Sequence, residues 1–209
     1  KTGLYEPLCF FCLDQNNVIS GLLVAYIIRE GGYLKRILSA RAITMGGPLV
    51  DWGKENIAFL LVRSLRKVVS GRVTYIQLRN LFKTENLKDE FKRNSFTYED
   101  HLDILIDLQK KKEELWHNLH PTRRKQINRS ERRGVRVVSS ESPDKKDIEE
   151  CYSILLAVYR RAKLPCPPAG FFNTAFEVLS EAGMIRIFMA KFNEEIIGFR
   201  IVLLYKGLI

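Results

Sequence analysis

Cysteine is scarce here, with four thiols among 209 residues, too few and too scattered for a disulfide scaffold. Cys9 and Cys12 have the spacing of a metal or redox pair, but Leu8-Cys9-Phe10-Phe11-Cys12-Leu13 reads as a strand. Residues three apart on a strand point to opposite faces, so the two thiols do not converge. No second such pair and no histidine cluster completes a zinc site, and His117 and His120 have no evident third ligand. No metal is expected, and packed, reduced thiols are. Long hydrophobic runs are also missing. The longest nearly apolar stretch, residues 18–28, is broken by Ser20 and Gly21 and is about half of a bilayer span. No basic segment followed by a short apolar core and a small-residue cleavage site opens the chain. It starts on Lys1 rather than Met, which reads as processing or excision from something longer. These absences suggest a globular protein without a transmembrane segment, in a cytoplasmic setting that extends to the inner face of a membrane.

Charge is abundant and uneven. The net charge is +10, and residues 110–136 hold Lys110, Lys111, Lys112, Arg123, Arg124, Lys125, Arg129, Arg132, Arg133 and Arg136. Only Glu113, Glu114 and Glu131 oppose them, leaving +7 in one stretch. Such concentration points to an anionic partner.

Along the chain, residues 8–13 and 18–28 read as two strands joined by the turn Asp14-Gln15-Asn16-Asn17 and ended by Gly31-Gly32. A strand over residues 37–43 leads to a breaker at Gly46-Gly47-Pro48. Asp51 is the expected N-cap of a helix over residues 54–69, with Ile57, Leu60, Leu61, Leu65 and Val68 on its apolar face. A strand at 73–78, a short polar helix at 85–92 and a strand at 102–108 follow. The pattern then predicts a helix at 110–119 and a basic helix from Pro121 to Gly134, since Pro favours a helix start and Gly its end. A short strand at 135–138, a loop at 139–146, helices at 147–161 and 170–179, and a hairpin of 185–192 with 196–205 complete it. Asn193-Glu194-Glu195 forms the last turn.

The two hairpins resemble each other. Residues 10–21 align with residues 188–198, with one extra residue in the first turn, and the matched glycines, Gly21 and Gly198, are 177 residues apart. That is a normal domain length. A repeat of this length would make the chain the back half of one unit and the front half of another.

On the basic helix, Arg124, Lys125, Arg129, Arg132 and Arg133 share one half of the circumference. Lys125/Arg129 and Arg129/Arg133 are like-charge i,i+4 pairs, each unfavourable by roughly 0.2–0.5 kcal/mol in an isolated helix. A face that repels itself gains from an anion, and arginine suits bidentate phosphate contact. Few aromatics interleave with these cations, which argues against a stacking platform for single strands.

The segment from Leu115 to Val135, with Leu119, Thr122, Arg123, Ile127, Arg129, Gly134 and Val135 as the matching positions, resembles the opening of the second domain of Fem-type (FemAB-like) transferases, the bacterial peptidoglycan interpeptide-bridge aminoacyltransferases. Gly46-Gly47-Pro48-Leu49 and residues 76–82 are similar to first-domain elements of that family, and residues 184–208 to the central hairpin of the GNAT acyltransferase fold. Ser130 and Arg124 depart from the family pattern, which more often has alanine and an aromatic there. The Q/R-x-x-G-x-G/A loop that holds pyrophosphate in coenzyme-A-dependent GNAT enzymes is not found, and Pro48 removes an amide donor at its candidate location in the first half.

The resemblance implies an α/β fold, specifically an α+β mixed sheet of GNAT-like type with parts of two tandem copies, residues 1–99 ending the first and 100–209 opening the second. It implies transfer of an aminoacyl or acyl group onto an amine, from aminoacyl-tRNA to a nucleotide- or lipid-linked peptidoglycan precursor, with no resident cofactor. Arg123, Arg124, Lys125, Arg129, Arg132 and Arg133 are the expected phosphate contacts. Two alternatives stand beside this: an N-acyltransferase with acyl-CoA as donor, and a non-enzymatic nucleic-acid-binding module using the same helix. Tyr205, His117 and Asp107 are acid/base groups without a distinguishing pattern, so no catalytic residue is assigned. Self-association through open sheet edges is a further expectation.

Overall fold

The structure, a computed structural model, describes residues 5–30, 38–51, 53–102 and 104–208. The chain divides into two compact units, Lys1–Ile104 and Leu105–Ile209.

The first unit is built on a mixed sheet. Strands β1 (Tyr5–Leu13) and β2 (Ile19–Ile28) form the expected antiparallel hairpin. Its turn is held by Asp14, whose Oδ1 accepts from the amides of Asn16 and Val18 at 2.8 and 2.9 Å. These bonds to the charged form lower the Asp14 pKa, the Val18 amide contributing most. Strand β3 (Arg41–Met45) pairs antiparallel with β2 and begins four residues later than residue 37, which lies outside the described residues, as do Gly31 and Gly32. After Gly46-Gly47-Pro48 a short strand β4 (Leu49–Val50), which the sequence did not announce, folds back onto Leu22 and Gly21 of β2. Helix α1 (Glu55–Val69) then crosses to β5 (Tyr75–Arg79), which runs parallel to β3. A 3₁₀ turn (Glu85–Leu87) and helix α2 (Lys88–Arg93) replace the single polar helix expected there.

Two details of α1 differ from the sequence reading. Asp51 does not cap the helix through its side chain: the N-cap is Lys54, and the Asp51 carboxylate pairs instead with Lys54 Nζ at 2.9 Å. The buried face is Ile57, Ala58, Leu61, Val62, Leu65 and Val69, while Leu60 and Val68 are exposed. At about 100° per residue this arc is turned by roughly 60° from the expected one. The small Ala58 and Val62 bring the helix down on Leu23, Ala25 and Ile27, which alternate along β2. Gly21 lies beneath the helix start, where an added Cβ would stand 2.6 Å from Ile57 Cγ2.

The described residues of the segment 102–108 do not form the expected strand. The described members have no ladder partner and are exposed, Leu102 at 86% and Leu105 at 85%. The sequence reads as a strand there, but a strand needs a neighbour for its backbone donors and acceptors.

The second unit begins with helix α3 (Lys112–Asn118) and the basic helix α4 (Pro121–Arg132). Strand β6 (Arg136–Ser140) extends into what the sequence suggested was loop. Helices α5 (Lys145–Ala162) and α6 (Ala169–Ser180) precede β7 (Ile185–Phe192) and β8 (Glu195–Leu203). The three strands make an antiparallel sheet in the order β6-β7-β8. Ile185, Ile187 and Met189 alternate inward along β7 and meet Cys151 of α5 and Phe176 of α6. Among the described residues, no helix is long and apolar enough to cross a membrane.

Candidate anion-binding helix

Helix α4 is delimited by its sequence at both ends. Pro121 occupies the first turn, where its missing amide is not needed, and His120 Nδ1 accepts from the Thr122 amide at 3.3 Å. At the other end Gly134 takes φ +90°, the left-handed conformation that terminates helices at glycine. The Val135 amide then reaches the Ser130 carbonyl at 3.1 Å and the Gly134 amide the Glu131 carbonyl at 2.9 Å, the paired bonds of a Schellman cap. No residue of this helix is buried. Packing therefore does not explain its composition.

The six predicted phosphate contacts divide into two groups. Arg124 is half-buried, and its guanidinium donates to the carbonyls of Trp116 and His117 at 3.3 and 2.7 Å, closing the C-terminus of α3. Arg123 donates to Gln126 Oε1 at 3.0 Å. Lys125, Arg129, Arg132 and Arg133 are exposed, with no side-chain hydrogen bond or ion pair among the described residues. Spaced i, i+4, i+7 and i+8, these four fall within about 100° of arc and span roughly 12 Å of helix. They form one stripe of charge that has no carboxylate partner among the described residues.

The acid/base groups named from the sequence are not gathered into a site. His117 Nδ1 bonds the Glu113 carbonyl at 2.8 Å, and Asp107 Oδ1 accepts from the Gln109 amide at 3.0 Å. Tyr205 is exposed, with Lys206 Nζ over its ring. Cys151, buried in the second core, has its thiol pushed up to about 11, first by burial and then by the charges of Asp147 and Glu150. It is not a ready nucleophile. The apolar hollow beside it, lined by Tyr152, Phe172 and Phe199 among others, measures about 10 Å³, no more than one water.

In the first unit the carboxyl ends of the parallel pair β3 and β5 are also notable. The Gly46 amide is spent on the Arg79 carbonyl at 2.7 Å, and Pro48 has none to offer. With Leu49 and Val50 paired to β2, this loop is not arranged as a cradle of free amides for pyrophosphate. Asn80 follows β5 with a buried Oδ1 that has no hydrogen-bond partner among the described residues, a group the sequence gave no reason to single out.

Residues 121–209 match a family model described as an acetyltransferase (GNAT) domain. The chain is similar in structure to FemX, with a TM-score of 0.57 at 13% identity, covering 90% of this chain and 48% of that one. It thus spans about half the length of FemX. A probable acetyltransferase aligns at 11% identity and a TM-score of 0.37, covering 51% of this chain and 70% of its own. No curated protein sequence matches significantly.

Proposed function

We propose that this Fem-like GNAT protein transfers an aminoacyl group from a tRNA ester to the amine of a peptidoglycan precursor, with the nucleic acid held on the stripe of helix α4. The GNAT domain match supports acyl transfer as the reaction class. The observation that carries the choice of donor is the row of four cations, Lys125, Arg129, Arg132 and Arg133, unpaired among the described residues, at the opening of the matched region. A single acyl-CoA does not need so long a stripe, whereas a polynucleotide lays successive phosphates along it.

The chemistry is attack of a neutral amine nitrogen on the ester carbonyl carbon. A C–N bond forms, the C–O bond to the ribose breaks, and the ammonium proton passes to the departing hydroxyl through solvent. Holding amine and ester together supplies much of the acceleration. The test is to offer the protein charged tRNA and acyl-CoA separately with an amine-bearing peptidoglycan precursor, and to follow product mass. An aminoacyl increment with tRNA alone supports the reading. An acyl increment with acyl-CoA alone replaces it with the N-acyltransferase, and binding of tRNA without either product replaces it with a binding module.

A further inference from the structure

Helices α3 and α4 meet at a corner that packing does not fix. No residue of either helix is buried. Leu119 and His120, between them, are extended, with ψ of 138° at both. Two extended residues leave a joint with soft torsions on either side. The backbone bonds here are local. The Leu119 amide donates to the Trp116 carbonyl at 3.3 Å, and the Arg123 and Arg124 amides donate to that of His120 at 2.8 and 3.2 Å. None of these three runs from α4 to α3.

Among the described residues, the side-chain hydrogen bonds that cross the corner are the two of Arg124, from its Nη1 to the carbonyls of Trp116 and His117. Carbonyls of a last helical turn have no partner within the helix, and a cation there also meets the negative end of the helix dipole. At about 100° per residue Arg124 lies roughly 80° outside the arc of Lys125, Arg129, Arg132 and Arg133. Holding α3 therefore leaves the stripe open.

We propose that Arg124 is the positioning residue of the anion-binding helix: by tying the first turn of α4 to the last carbonyls of α3, it sets the direction of the stripe before a polyanion arrives. The inference rests on the reading of α4 as the polynucleotide site. A helix held in one direction presents its four cations together. One free to swing about Leu119 and His120 must be ordered by the ligand, and that ordering lowers affinity. This role differs from contact with phosphate. Losing one phosphate contact changes the number of counterions released, and with it the slope of log K against log salt, by about 0.7–0.9. Losing the tie costs the same factor at each salt concentration, so the line shifts without tilting.

Two measurements test this on the wild type, Arg124→Ala and Arg124→Lys, each first shown to be folded by circular dichroism. The first needs no ligand. Spin labels on Glu113→Cys in α3 and Asn128→Cys in α4, with Cys9, Cys12 and Cys166 replaced by serine, report the distances across the corner by electron spin resonance. Arg124→Ala is expected to broaden a narrow distribution, and an unchanged distribution overturns the proposal. The second is tRNA binding across a salt series. Arg124→Ala is expected to weaken binding by about three- to tenfold with the slope kept, and Arg124→Lys, which retains a donor, to recover part of it. A line left unmoved shows that the tie only stiffens the fold, and a slope shallower by about 0.7–0.9 shows a phosphate contact instead; either overturns the proposal. Polyphosphate serves as a second probe. A wild type that binds polyphosphate but not tRNA overturns the tRNA reading alone, with the shift then read on polyphosphate, and one that binds neither overturns both.

Discussion

Gly21 and Gly198 hold the same station in two separate hairpins. Gly21 pairs with Cys12 and Gly198 with Ala190, and in each case the register slips at the next step, to Leu13↔Ile19 and Lys191↔Ile196. The bulges therefore leave Ser20 and Ile197 unpaired at equivalent points. A bulge is an extra residue that re-aims a strand, and each hairpin carries one next to its glycine. The surroundings differ. Helix α1 presses on Gly21, whereas an added Cβ at Gly198 has nothing within 4 Å.

This difference predicts opposite outcomes for the same substitution. Gly21→Ala forces Ile57 to move and should cost about 1–3 kcal/mol by overpacking. Gly198→Ala should change stability by less than about 0.5 kcal/mol. Urea unfolding of each variant checks both, and equal losses would contradict the packing described.

Arg124 and Arg132 are both basic residues of one helix, with separate predicted roles. Arg124→Ala uncaps the carbonyls of Trp116 and His117 and should destabilise the second unit by about 1 kcal/mol. Arg132→Ala should leave the melting temperature unchanged and weaken polyanion binding instead. Thermal melts followed by circular dichroism separate the two.

The end of α4 depends on Gly134 and its φ of +90°. Gly134→Ala should cost about 1–2 kcal/mol, since an L side chain strains the left-handed conformation. Gly170→Ala, at a helical position with nothing within 4 Å of the added methyl, serves as the neutral control in the same melt.

Glu6 gives the first unit a predictable response to acid. Hydrogen bonds from Arg72 and then Arg29 lower its pKa, despite a small opposing effect of burial. A lowered folded-state value means the stabilisation is fully present above the unfolded glutamate pKa of about 4.3 and is lost as pH falls through the folded value. The side chain is 41% exposed, so solvent screening keeps the effect small. Glu6→Gln should flatten the fall in stability below about pH 4.3, measured by urea midpoints at successive pH.

The elements legible in the sequence were those whose signals are local. Asp14 bonding its own turn announced the first hairpin, and Pro121 with Gly134 bounded the basic helix. What the sequence did not show depended on neighbours far along the chain. The face of α1 was misjudged at Leu60 and Val68 because the buried arc includes Ala58, whose hydrophobic signal is weak, and Val62, which lies on the same side. Residues 102–108 have a strand's alternation, but their described members have no ladder partner. Arg124 looked equivalent to its neighbours until α3 supplied carbonyls for it to cap. The buried Oδ1 of Asn80 had no sequence signature at all.

The most direct measurement of the central claim is tRNA binding across a salt series, with Arg129, Arg132 and Arg133 changed to Glu as the comparison and Arg124 left to hold the fold. The account predicts affinity that falls steeply with salt, and a triple variant that both loses affinity and has a slope shallower by about 2–3. Weak binding that is insensitive to salt and unchanged in the triple variant would contradict it and leave a small acyl donor as the substrate to pursue.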